Sequence, residues 1–305
     1  MKNTIKIKKI TAGIILFLAM LLSPGAVKAD TITTFYAITP AGGSDSLIGF
    51  QLDSINNGII EVTTNVPLTL NGAAPNIFTN SLSFSPSGEL YAWSSRSTVP
   101  DPLTGEFTGQ LYTIDRFTGE ITLIGDGGEP YWMNGMAFDS DGKLWGIENN
   151  LYSIDTATGA RTKVSNNSIG SGHRGLAYDF SNDELYAWTG FTNIADQVLK
   201  IDRATGAAVN VPINFNLQME RVGTEFDPVT GNLIGLRDGN LIYSVNLGTG
   251  NAEYLGKLYL NGSDNIQANG LTVLQTHVTV PEPSTMILLG SLLLGASVFS
   301  RKKRT

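Results

Sequence analysis

From residue 30 to residue 275 apolar and polar positions alternate in short runs, each stopped by Gly, Asn, Asp, Ser or Pro. Period-two alternation marks strands with one buried face, and the stops are turn chemistry. Two stretches break the pattern. Ile10–Leu22 and Met286–Phe299 are apolar runs at the two ends of the chain.

The alternating runs repeat. One unit is an aliphatic-Asp pair followed by a Thr-Gly or Asn-Gly turn. It occurs at Leu52-Asp53, Ile114-Asp115, Ile154-Asp155 and Ile201-Asp202, and as Val245-Asn246. Asp or Asn caps such a turn and Gly supplies the left-handed backbone, so each copy predicts a strand running into a hairpin. A second unit precedes the first: Phe35-Tyr36-Ala37-Ile38, Leu90-Tyr91-Ala92-Trp93, Leu144-Trp145-Gly146-Ile147, Leu185-Tyr186-Ala187-Trp188 and Leu233-Ile234-Gly235-Leu236. Its small third residue suits a strand closely crossed by a neighbour. A third unit lies upstream again, at Leu82-Ser83-Phe84, Gly135-Met136-Ala137-Phe138, Gly175-Leu176-Ala177-Tyr178 and Gly223-Thr224-Glu225-Phe226.

The first repeat lacks the third unit at its N-terminal end. The missing copy stands at the far end of the domain, as Gly270-Leu271-Thr272-Val273. Four strands per repeat, a period of about 40–55 residues and one displaced strand predict an all-β fold. The specific expectation is a five-bladed β-propeller, closed by a C-terminal strand that completes the first blade. An open β-sandwich or another blade count is the alternative.

The ends read differently. Lys2–Lys9 form a positive region before the apolar run, and Val27-Lys28-Ala29 puts small residues before a cut between Ala29 and Asp30. Residues 1–29 are thus expected to be a secretory signal peptide read by the Sec export machinery. Near the C-terminus Pro281-Glu282-Pro283 precedes the second apolar run, which ends in Arg301-Lys302-Lys303-Arg304. As a helix, Thr285–Phe299 reaches only ~22 Å, against a ~30 Å hydrocarbon core. The basic cluster keeps its end on the cytoplasmic side, so the run suits transient insertion in a membrane.

This order of motif, short hydrophobic helix and basic tail resembles the PEP-CTERM sorting signal of Gram-negative bacteria. The resemblance implies an exosortase as processing partner and delivery through an inner-membrane intermediate. The destination is then the cell surface, outer membrane or extracellular matrix, and a link to biofilm and exopolysaccharide. The chain divides accordingly into the signal peptide (1–29), the propeller domain (30–275), a linker (276–280) and the sorting segment (281–305).

Composition narrows the partners. Without the nine cations of the two ends and Glu282, 11 basic residues face 26 acidic ones, a net charge of −15. Such a domain repels nucleic acid and anionic membrane surfaces. The chain has no cysteine, which excludes disulfides, thiol catalysis and thiolate metal sites.

Candidate chemistry sits where the lead-in loops of the third units would converge on the mouth of a central channel: Asn80, Asn134, His173, Arg174, Glu220, Arg221 and Asn269. Their oxygen donors suit a hard cation such as Ca²⁺, and the arginines suit a carboxylate or sulfate. The alternative is that they satisfy loop backbone groups in a wet channel. Asp139-Ser140-Asp141-Gly142 resembles the start of a calcium loop, but residue 150 is Asn where a glutamate is needed, so it reads as a turn. Trp93, Trp145 and Trp188 recur at repeat positions and read as packing residues, whereas Tyr131-Trp132 is the aromatic candidate for a mouth that stacks on a glycan.

The expected function is non-enzymatic, with no catalytic residues and no required cofactor. A surface-delivered propeller would bind or scaffold matrix components such as extracellular polysaccharide or a surface protein. A metal-assisted hydrolase or lyase with Glu220 as base, and a purely structural envelope protein, are the alternatives.

Overall fold

A computed structural model describes residues 33–41, 44–75, 77–95, 108–128, 132–170, 173–191, 194–214 and 223–274. The signal segment with its cut at Ala29–Asp30, Tyr131, Glu220, Arg221, the linker and the sorting segment lie outside the described residues.

Every element among the described residues is a strand. The chain begins with β1 (Thr34–Ala41), β2 (Ser44–Gln51) and β3 (Ile59–Pro67). Next come β4 (Thr79–Phe84), β5 (Leu90–Ser94), β6 (Gly109–Ile114) and β7 (Ile121–Gly128), paired in that order as one sheet. A second sheet holds β8 (Gly135–Phe138), β9 (Leu144–Ile147), β10 (Leu151–Ile154) and β11 (Arg161–Lys163). A third holds β12 (His173–Asp179), β13 (Glu184–Phe191), β14 (Ile194–Ile201) and β15 (Ala208–Val211). The last strands are β16 (Gly223–Phe226), β17 (Leu233–Arg237), β18 (Leu241–Asn246), β19 (Asn251–Tyr259) and β20 (Asn269–Val273).

The displaced third unit behaves as its position in the sequence predicts. β20 pairs antiparallel with β1, Tyr36 opposite Thr272 and Phe35 opposite Val273. One expectation needs correction. The units β20-β1-β2-β3 and β16-β17-β18-β19 are not separate four-stranded sheets but halves of one eight-stranded sheet, in the order β16-β17-β18-β19-β3-β2-β1-β20. Lys257–Tyr259 of β19 run parallel to Ile59–Glu61 of β3. The backbones can approach because Gly256 has no side chain: a Cβ there would lie 2.6 Å from the Gly58 carbonyl oxygen.

Burial runs from one edge of each unit to the other. Inner strand β8 is buried throughout, while outer strands β11 and β15 are largely exposed. The sequence explains this gradient, since inner strands are Gly-, Ala- and aliphatic-rich and outer strands carry Thr, Lys, Asn and Glu. Among the described residues the core divides into five clusters, each formed between two successive four-stranded units. Trp93 and Leu111, for example, pack on Met136, Phe138 and Leu144, and Tyr186 and Trp188 on Phe226 and Leu233. One cluster joins the last unit to the first, with Ile234, Leu236 and Ile242 against Phe35, Ile48 and Phe50.

The predicted turns form as expected. The Asp115 carboxylate accepts the N–H groups of Phe117 and Thr118, and Gly119 adopts φ 75°. Asp202 does the same for Ala204 and Thr205. The small third residue of the second unit meets a side chain rather than a crossing strand. Gly146 faces Met133 Sδ and Gly235 faces the Trp188 ring, where a Cβ would come within 2.4 and 2.7 Å.

Candidate functional site

The inner strands β4, β8, β12, β16 and β20 touch one another in that order, and β20 returns to β4. Two levels of side chains follow from their shared pattern. At the first level stand Ser81, Gly135, Gly175, Gly223 and Gly270, where the backbones come closest. A Cβ on Gly175 would lie 1.4 Å from Thr224 Oγ1, and one on Gly223 would lie 2.5 Å from the Gly270 carbonyl carbon. At the second level stand Ser83, Ala137, Ala177, Glu225 and Thr272. Early residues meet early residues and late meet late, so the five strands run in one direction and share one starting end. That end is the mouth.

Asn80, His173, Arg174 and Asn269 lie inside strands, not in the lead-in loops where the sequence placed them. β-bulges are the reason. Asn80 is the extra residue between the pairs Thr79–Ser94 and Ser81–Trp93. Arg174 is the extra residue between His173–Thr189 and Gly175–Trp188, and β20 carries an extra residue against β1 between Asn269 and Thr272. A bulge prolongs the ladder toward the mouth and re-aims the side chain it carries. Asn134 directly precedes β8, its N–H bonded to the Ile147 carbonyl at 2.8 Å. Asn269, Asn80 and Asn134 therefore occupy the starting ends of three neighbouring inner strands, β20, β4 and β8. Of His173 and Arg174 the backbone alone is described.

Beside these amides lie two exposed aromatic rings. Phe78 is 41% and Trp132 43% exposed. Their rings meet edge to face, centroids 6.4 Å apart at 82°. The segment carrying Phe78 and Asn80 is fixed from below. Ser94 Oγ accepts the Phe78 N–H at 2.9 Å, and Ser95 Oγ donates to Asn80 Oδ1 at 2.5 Å. Buried Asp45 accepts the Thr79 N–H at 3.1 Å, and the Thr79 hydroxyl is bonded to Tyr112. Burial pushes the Asp45 carboxyl above its ordinary range despite the bonds from Thr79. Asp45 went unnoticed in the sequence because its repeat position is otherwise unremarked.

The other residue that sequence reasoning passed over is Glu225, on the axis. Its Oε1 accepts the Phe226 N–H at 2.9 Å and its Oε2 a bond from Thr272 Oγ1 at 3.2 Å. Burial, opposed by these bonds and one from the Val273 N–H, pushes the carboxyl up to about 8. The residue as a whole is half-buried. Asp139, read as a turn residue, does cap its turn by accepting the Asp141 and Lys143 N–H groups. It also accepts from Trp145 Nε1 at 2.8 Å and pairs with Arg203 at 3.0 Å. Among the described residues no three His, Cys, Asp or Glu side chains cluster as a metal site.

The tail decides the one comparison of sequence that is specific. Residues 279–304 match the family described as PEP-CTERM protein-sorting motif. The chain ends in a sorting signal. A PEP-CTERM tail implies Sec export, an exosortase as processing partner, and delivery to the envelope or surface of a Gram-negative bacterium. No curated protein matches the chain.

Solved structures resemble it loosely. A structural genomics protein of unknown function from Bacteroides thetaiotaomicron is 15% identical with a TM-score of 0.47, over 73% of this chain and 57% of its own. TolB from Acinetobacter baumannii is 11% identical with a TM-score of 0.46, over 80% of this chain and 67% of its own. An auxiliary nutrient binding protein from Bacteroides ovatus is 13% identical with a TM-score of 0.41, over 62% of this chain and 47% of its own. The chain thus spans about half to two thirds of the length of these proteins.

Proposed function

We propose that the exported part of this chain is a five-bladed β-propeller that binds an extracellular polymer, with matrix polysaccharide as the leading class. The blade count is supported by the five co-directional inner strands, the five core clusters between units, and the pairing of β20 with β1. In this reading residues 1–29 are removed after Ala29, and exosortase acts near Pro281-Glu282-Pro283 while Arg301–Arg304 hold the tail on the cytoplasmic side.

The binding surface is the mouth, and the observation that carries it is the Phe78–Trp132 pair beside Asn80, Asn134 and Asn269. Exposed aromatic rings offer a flat apolar face to a sugar ring, and amide side chains both donate to and accept from hydroxyls. A net charge of −15 favours neutral polymers or ones bridged by cations over polyanions alone. Stacking and amide hydrogen bonds require no cofactor and no catalytic group, so the role is binding rather than catalysis.

The test is retention of the exported protein on the exopolysaccharide of its own host. Trp132→Ala should weaken binding about tenfold, the loss expected of a central aromatic contact. Failure of the unsubstituted protein to bind polymer or surface protein would end this reading.

A further inference from the structure

Glu225 stands at a level of the axis where the other inner strands carry Ser83, Ala137, Ala177 and Thr272. Ser83 and Thr272 reveal what this position contributes to the fold. Ser83 Oγ accepts the Phe138 N–H at 3.0 Å, and Thr272 Oγ1 accepts the Phe84 N–H at 3.2 Å, so each ties its strand to the next. The Glu225 carboxyl does the same for the Val273 N–H. A hydroxyl would suffice for that task. The negative charge has no part in it.

The hydrogen-bond partners of the carboxyl suit a charge, although its burial does not. Its partners are all donors: the Phe226 N–H, the Val273 N–H and the Thr272 hydroxyl. Donors converging on a carboxyl favour its ionised form. Burial opposes that form unless a cation is near, and among the described residues no Lys, Arg or His forms an ion pair with Glu225. There is space beside the carboxyl. A cavity at the finishing ends of the inner strands is lined by Ser83, Ala137, Tyr178, Glu225 and Val273 from the five strands, and otherwise by mostly apolar side chains, Phe84, Phe138 and Phe180 among them. It leaves about 20 Å³ for water centres, room for about one water or one monatomic ion and for nothing larger.

We propose that this axial cavity is a binding site for a hard monatomic cation, with the Glu225 carboxylate as its charged ligand and the Ser83 hydroxyl as a neighbouring oxygen donor. Oxygen ligands select Ca²⁺, Mg²⁺ or Na⁺ over softer ions. A single carboxylate gives weak binding, with Kd of about 10⁻⁴–10⁻³ M for Ca²⁺, the range of extracellular modules. The acidic surface raises the local cation concentration. Cation binding at the finishing ends is separate from polymer binding at the mouth, and either can hold without the other.

The experiment uses the exported protein, stripped with chelator and held at pH 8.5. Its thermal midpoint is followed against CaCl₂, MgCl₂ and NaCl, with tetramethylammonium chloride at equal ionic strength as the reference. At least one of the three cations should raise the midpoint by about 5–10 °C over the reference at a hundredfold excess over its Kd. Glu225→Gln should abolish that rise. Glu225→Ser, which keeps an acceptor for the next strand as Ser83 does, should abolish it too. An equal rise in either variant assigns the cation to the outer surface and overturns the proposal. So does the absence of any rise above the tetramethylammonium reference.

Discussion

Replacing Glu225 by Gln should change how the stability of the protein depends on pH. The folded carboxyl stands at about 8 and the ordinary value is 4.5. Below pH 4.5 both states hold the proton, and the group contributes no pH dependence. Between pH 4.5 and 8 the unfolded chain releases a proton that the folded chain retains, so stability falls as pH rises. Above pH 8 the loss is complete. The span corresponds to about 5 kcal/mol at 1.36 kcal/mol per pH unit, an upper bound because the residue is half-buried and not sealed from solvent. A loss of about 2 kcal/mol is expected, or about 4–8 °C in the thermal midpoint. Facing groups do not interfere in this range: Ser83 and Thr272 do not titrate, and burial and Asp183 hold the Tyr178 hydroxyl above its usual value. Glu225→Gln keeps the shape and an oxygen acceptor and removes the charge. In metal-free buffer with tetramethylammonium as electrolyte, the two proteins should melt together at pH 5, and the variant should be the more stable at pH 9. Parallel curves from pH 5 to pH 9 would refute the argument.

Two further substitutions test the packing around the axis. Gly175→Ala puts a Cβ 1.4 Å from Thr224 Oγ1 and 2.9 Å from the Thr224 backbone nitrogen, and should cost about 1–3 kcal/mol in urea denaturation. Asp139→Ala removes the shared partner of Arg203 and Trp145 Nε1 and should cost about 3 kcal/mol by the same assay. A loss below about 0.5 kcal/mol in either case contradicts the close packing described here.

Much of the fold was legible because the repeat is written in residue types that have few uses. Asp-x-x-Thr-Gly at residues 115–119 and 202–206 encodes a capped turn, and local chemistry alone forms it. The displaced Gly270–Val273 announced its pairing with Phe35–Ile38 because the pattern supplied every other inner strand in place. The parallel joint of β19 to β3 was not legible, since it depends on two glycines, Gly58 and Gly256, meeting across a distance in sequence of nearly the whole domain. The segments expected at the mouth were assigned to loops and lie partly in strands, because a bulge such as that at Asn80 adds a strand residue without altering the alternation beyond it. Glu225 left a readable trace: it is the one charged residue among Ser83, Ala137, Ala177 and Thr272.

The order of strands also sets a timetable for biogenesis. A chain threaded through the export channel from its N-terminus releases β1 first and β20 last. Throughout translocation the edge of β1 that receives β20 must wait uncovered, and such an edge invites pairing with another chain. Leu274 is followed by only four residues before the match to the sorting family begins. In the export and exosortase processing that the tail implies, the recognition sequence therefore emerges at almost the same moment that the final strand can dock, which would tie closure of the fold to sorting.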